Sequence, residues 1–135
     1  KRIKALMDAN IDYGSAVAAA GLLGGIVFWI NHDHGNALAT TAALKQGTYT
    51  FFVAGFIAKN NERLVLRWRK PWGLPAAAFV SSCIAVGLTF LVHSLKGTPE
   101  PLHSTLPTLL MAPPGFLALG LRARKTAQAT GKPPI

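Results

Sequence analysis

The stretch 13–30, YGSAVAAAGLLGGIVFWI, runs for 18 residues without a charged side chain. Wound as an α-helix at about 1.5 Å per residue it is about 27 Å long, close to the hydrocarbon thickness of a bilayer. Its residues do not alternate apolar and polar with a period of two, which excludes a membrane β-strand. A spanning helix is the reading that decides the fold.

Three further apolar blocks follow, at about 39–58, 74–95 and 106–121. The second is interrupted by Lys45 and Gln46, and the fourth is short and carries Pro107, Pro113 and Pro114. Only 14% of the 135 residues are charged while 50% are hydrophobic, and the mean hydropathy is +0.33. A soluble domain carries about 25% charge to keep its surface wet. Four apolar blocks with so few charges leave nothing to cover the outside of a soluble fold. The expected fold is therefore all-α: an integral membrane four-helix bundle of two tandem transmembrane hairpins in a single membrane domain. Hairpin one covers about 13–58, a basic inner loop 59–73, hairpin two about 74–121, and a tail 122–135.

The 14 Lys and Arg outnumber the 5 Asp and Glu, giving a formal charge of +9 and a pI near 10.4. Such a balance in a soluble protein points to nucleic acid. Here the cations fall in three clusters between apolar blocks, which is the pattern of membrane topology signals, so nucleic acid is not an expected partner. With four spans, Lys1, Arg2, Lys4, Lys59, Arg63, Arg67, Arg69, Lys70, Arg122, Arg124, Lys125 and Lys132 share one side. Only Lys45 and Lys96 lie toward the other. The positive-inside rule then places both termini, the inner loop and the tail in the cytoplasm, with 31–38 and 96–105 outside. The expected location is a bacterial-type inner (cytoplasmic) membrane.

Lipid supplies no hydrophobic drive for helix association, so helices pack where small residues let backbones approach. Gly14, Ala18, Gly21 and Gly25 form such a surface on the first helix, and Ser82 and Gly87, with Ala78 and Cys83, on the third. These surfaces pack the four helices together or dock a second copy or a larger membrane complex. A single cysteine, Cys83, rules out an intrachain disulfide. The halves also share a faint pattern: Phe28, Thr40-Thr41, Gly55-Phe56 and Arg63 parallel Phe90, Ser104-Thr105, Gly115-Phe116 and Arg122, as a duplicated hairpin would.

Polar features inside the blocks define a competing pathway. Lys45, Gln46, Thr48, Tyr49 and Thr50 interrupt the second block, and a lysine in a span either snorkels or lines a cavity. Pro113 and Pro114 remove amide donors and are expected to kink or interrupt the fourth helix, freeing the carbonyls of Leu109 and Leu110. Together they outline a small transporter or channel. His32 and His34 flank Asp33, and His93 and His103 flank Glu100; imidazole with carboxylate suits zinc or copper, with haem a weaker fit, yet the spacing matches no metal motif, so no cofactor is expected. Arg63, Arg67, Trp68, Arg69, Lys70 and Trp72 mix cations with aromatics, as segments in an anionic headgroup layer do. No catalytic triad, phosphate loop or paired carboxylate within a span is present. The expected function is non-catalytic: a structural or accessory membrane subunit, with transport as the alternative.

Overall fold

The computed structural model describes residues 1–95 and 101–131, without the side chains of Pro101, His103 and Ser104. Lys96, Glu100 and Lys132, and most of the expected outer loop 96–105, lie outside the described residues. Every regular element described is helical: α1 (Arg2–Asn10), α2 (Tyr13–Asn31), a 3₁₀ turn (His32–His34), α3 (Asn36–Arg67), α4 (Gly73–Leu95) and α5 (Pro101–Thr130). The chain divides into two compact units, Lys1–Lys59 and Asn60–Ile135.

In the first unit, α1 and α2 are separated because Ile11 and Asp12 adopt extended backbone. Asp12 caps α2, its carboxylate accepting from the Ser15 amide at 3.0 Å. The Asp12 amide itself donates to the Gly55 carbonyl at 3.0 Å, which fixes the start of α2 against α3. At the other end Gly35 closes the turn at φ +101° and ψ 142°, a conformation that a side chain would strain. Contacts between α2 and α3 run in opposite senses: Ala16 lies by Gly55, and Gly24 by Ala43 and Gly47. A Cβ on Gly55 would sit 2.7 Å from Ile11 Cγ2 and 2.8 Å from Ala16 Cβ, so only glycine admits this crossing.

The second unit holds the end of α3 with α4 and α5. A Cβ on Gly120 would stand 2.6 Å from Leu74 Cδ1 and 2.9 Å from Val65 Cγ2, which places α5 against both other helices. Asn61 is fully buried; its amide donates to the Phe116 carbonyl at 3.0 Å and its Oδ1 accepts from the Ser81 hydroxyl at 3.1 Å. Hydroxyls elsewhere in the apolar helices bond the carbonyl four residues back, as Ser82 does to Ala78 at 2.7 Å and Thr89 to Ala85 at 2.8 Å. In hydrocarbon this satisfies them without a second helix.

Alanine makes up much of the buried apolar set, beside Ile11, Ile57, Val65 and Phe116, while many large apolar side chains lie outside. The buried apolar set includes Ala16, Ala39, Ala58, Ala77 and Ala78, whereas Val17, Leu22, Ile26, Ile30, Phe79, Leu91, Leu110 and Met111 are exposed. In water such an exterior would be one continuous sticky patch. Three described segments are long and apolar enough to cross a membrane: Tyr13–His34, Gly73–Leu95 and Thr105–Thr130. They coincide with the first, third and fourth expected blocks.

Three boundaries differ from expectation. The basic inner loop shrinks to residues 68–72, because Asn61 and Val65 continue the buried face of α3 as far as Arg67. The tail is helical to Thr130, as its Arg, Lys, Ala and Gln residues favour. Finally, α5 runs unbroken through Pro107, Pro113 and Pro114, so the expected interruption is absent. A proline orphans one carbonyl, whereas leaving the helix in an apolar medium would orphan a whole turn of backbone groups.

Candidate helix-packing and headgroup sites

Close approach on α2 falls on Gly24. A Cβ there would meet the Ala43 carbonyl at 3.3 Å and Gly47 Cα at 3.7 Å, while one on Gly21 or Gly25 would meet nothing within 4 Å. Gly14 lies near only the Asp12 carboxylate, Ala18 is exposed, and Gly87 on α4 also faces open space. Ser82 is buried. Within the chain, then, α2 packs through Ala16 and Gly24, and its Gly21 and Gly25 remain open.

Those two glycines line an open groove of about 560 Å³ between α2 and α3. Its floor is Gly21, Gly24, Gly25 and Gly47, and its walls are Phe28, Leu44, Phe51 and Phe52. Phe51 and Phe52 meet edge to face at 5.3 Å, and Phe51 also touches the Tyr13 ring at 6.1 Å, which stiffens that wall. Thr40 and Thr48 are its polar lining.

Of the polar-pathway residues in the first unit, Thr48 lines the groove and Lys45, Gln46 and Tyr49 do not. Thr48 faces the groove, Lys45 is exposed, and Gln46 donates to the buried Thr50 hydroxyl at 3.1 Å along its own helix. Tyr49 is half-buried on α3, and Pro113 and Pro114 are exposed on α5. His32 stacks on Trp29 at 4.9 Å and pairs with Asp33 at 3.1 Å, so its ring is held within its own turn. His34 is exposed, His93 is half-buried, and the His103 side chain lies outside the described residues. Among the described residues no three His, Cys, Asp or Glu side chains cluster as metal ligands would.

The headgroup residues sit around a tight turn. The Gly73 amide donates to the Lys70 carbonyl at 2.9 Å, and Trp68 and Trp72 approach within 6.0 Å. Arg124 on α5 donates one nitrogen to the carbonyls of Trp68 at 2.8 Å and Lys70 at 3.1 Å. This contact and the Asn61 node lay beyond sequence reasoning. The pair Asn60-Asn61 between Lys59 and Arg63 reads as loop, although Ile57, Asn61 and Val65 do keep the i, i+4 spacing of one helical face.

Fold and sites together define an all-helical protein with three helices able to cross a membrane, two open glycines in an apolar groove and a cationic turn at a helix junction. No family description, curated protein or solved structure matches the chain.

Proposed function

We propose that this chain is a non-catalytic integral membrane subunit with four spans, both termini in the cytoplasm of a bacterial-type cell, and that it assembles with copies of itself or with a larger membrane complex. Its supporting observation is the open groove floored by Gly21 and Gly25, which offers a backbone surface to a further helix where the chain fills none. Support for a fourth span comes from the first unit. Because α3 meets α2 from Gly55 back to Ala43, a bilayer crossed by α2 also contains that part of α3. Lys45 then lies about 14 Å from the start of α3 at Asn36, a depth from which its exposed stem carries the ammonium part of the way toward the surface.

Gly21→Leu and Gly25→Leu are expected to abolish the higher-mass species in mild detergent while leaving the thermal midpoint of the chain unchanged, since a Cβ at either position meets nothing within 4 Å and the rest of the side chain extends into the open groove. Gly24→Leu is expected to lower that midpoint by the equivalent of about 1–3 kcal/mol, the usual cost of overpacking. A native mass that is monomeric for the unsubstituted chain, or unaltered by both outer substitutions, would sink the self-assembly reading; co-purification of one stoichiometric partner would direct it to a larger complex.

The proposed orientation predicts that an impermeant thiol reagent applied outside labels Asp33→Cys but not Thr130→Cys in a Cys83→Ser background. Labelling of Thr130→Cys alone reverses the topology. Labelling of both from outside demands an odd number of spans.

A further inference from the structure

We propose that the turn 68–72 and the cytoplasmic end of α5 form one binding site for the phosphate of an anionic lipid, and that Arg124 builds this site rather than filling it. This rests on the membrane reading above. Each end of the site is cationic: Arg67, Arg69 and Lys70 are exposed at the turn, and Arg122 and Lys125 are exposed on α5. Arg124 joins the two, because its guanidinium spans the Trp68 and Lys70 carbonyls. Both carbonyls lie past the end of α3, so no amide of that helix reaches them; one guanidinium nitrogen donates to the Trp68 carbonyl and adds a second donor to the Lys70 carbonyl, which also accepts from the Gly73 amide.

Charge and aromatics single out the ligand. From Asn60 to Gly131, among the described residues, the cations are Arg63, Arg67, Arg69, Lys70, Arg122, Arg124 and Lys125, and Glu62 is the one carboxylate. Like charges so gathered repel one another, and a nearby anion relieves that repulsion. Trp72 is 54% exposed next to Trp68, and α4, which begins one residue later, is itself long and apolar enough to span. Tryptophan at the end of a span belongs in the headgroup layer, where the available anion is a lipid phosphate. Arg124 is a positioning residue: it holds Lys70 and its neighbours in register with Arg122 and Lys125.

The full chain is reconstituted in phosphatidylcholine bilayers with spin-labelled phosphatidylglycerol or spin-labelled phosphatidylcholine, and the ratio of their association constants is measured. The expected ratio favours phosphatidylglycerol and falls by up to about fivefold for each cation removed in Arg122→Gln/Lys125→Gln or in Arg67→Gln/Arg69→Gln. Arg122→Lys should preserve the ratio. Arg124→Lys should lower it as much as Arg124→Gln, because the ammonium keeps the charge but ends one bond short of the nitrogen that reaches both carbonyls. Where an Arg124 variant loses helical content or monodispersity, the exposed Arg67 and Arg122 sets decide alone. A ratio unmoved by the α5 pair, or fully retained in a folded Arg124→Lys variant, overturns the proposal. Pyrophosphate binding to the detergent-extracted chain with no lipid preference would assign the site to a soluble phosphate and overturn the lipid assignment. A chain that does not insert at all fails the membrane reading; one that inserts without preference fails only this inference.

Discussion

Gly73→Ala is expected to prevent correct formation of the α3–α4 junction, giving the largest loss of folded protein of any glycine-to-alanine change among the described residues. A Cβ at residue 73 would land on the Trp68 carbonyl oxygen, and would lie 2.6 Å from Trp68 Cβ and 2.8 Å from the Trp68 carbonyl carbon. The obstacle is backbone, which cannot rotate aside as the leucine and valine tips facing Gly120 can. The displaced carbonyl is also the one Arg124 holds at 2.8 Å, so the clash breaks the clamp as well as the turn. The combined cost is about 3 kcal/mol or more, above the usual range for overpacking. Monodisperse yield and thermal midpoint in detergent measure it. Gly115→Ala on α5 is the control, because a Cβ there meets nothing within 4 Å. Equal behaviour of the two variants would mean that the junction is not packed as described.

The contrast between those two glycines shows what a sequence can reveal about such a protein. Uncharged length announces α2 and α4, because it follows directly from the cost of polar groups in hydrocarbon. Facing does not follow from it. Within Gly21-Leu22-Leu23-Gly24-Gly25, adjacent glycines are rotated by about 100° from one another, and small size alone does not say which one meets the neighbour. The choice of Gly24 is made at a distance, by the Asp12 amide bonding Gly55 and fixing where α3 crosses. A duplicated pattern aligns Gly55 with Gly115, yet the glycine that behaves like Gly55 is Gly120. Each lies in the later helix of its pair and receives a side chain from the start of the earlier one or just ahead of it, Leu74 in one case and Ile11 in the other. Motif spacing therefore misses the packing equivalence by five residues. The cationic turn was legible as residue types, while the Arg124 clamp depends on a pairing 56 residues apart in sequence and carries no local signal.

Asn61→Asp is expected to be the most damaging isosteric change in the protein. The asparagine amide nitrogen faces the Phe116 carbonyl at 3.0 Å, so an aspartate oxygen there would set acceptor against acceptor. Its charge would also be fully buried, with no cation among the groups that bond the side chain, the Phe116 carbonyl and the Ser81 hydroxyl. Breaking a buried polar pair in this way costs about 3–5 kcal/mol, and protonation of the new carboxyl can only limit that cost. Asn61→Leu is milder. The Phe116 carbonyl keeps its place in the α5 ladder, and Ser81 can turn to a carbonyl of its own helix as Ser82 does to Ala78, so the loss is about 1–3 kcal/mol. Denaturant or thermal unfolding in detergent ranks the two, and a double-mutant cycle with Ser81→Ala isolates the 3.1 Å hydroxyl contact as a coupling of about 0.5–3 kcal/mol. An additive cycle, with Asn61→Asp no worse than Asn61→Leu, would show that α3, α4 and α5 are not joined through this side chain.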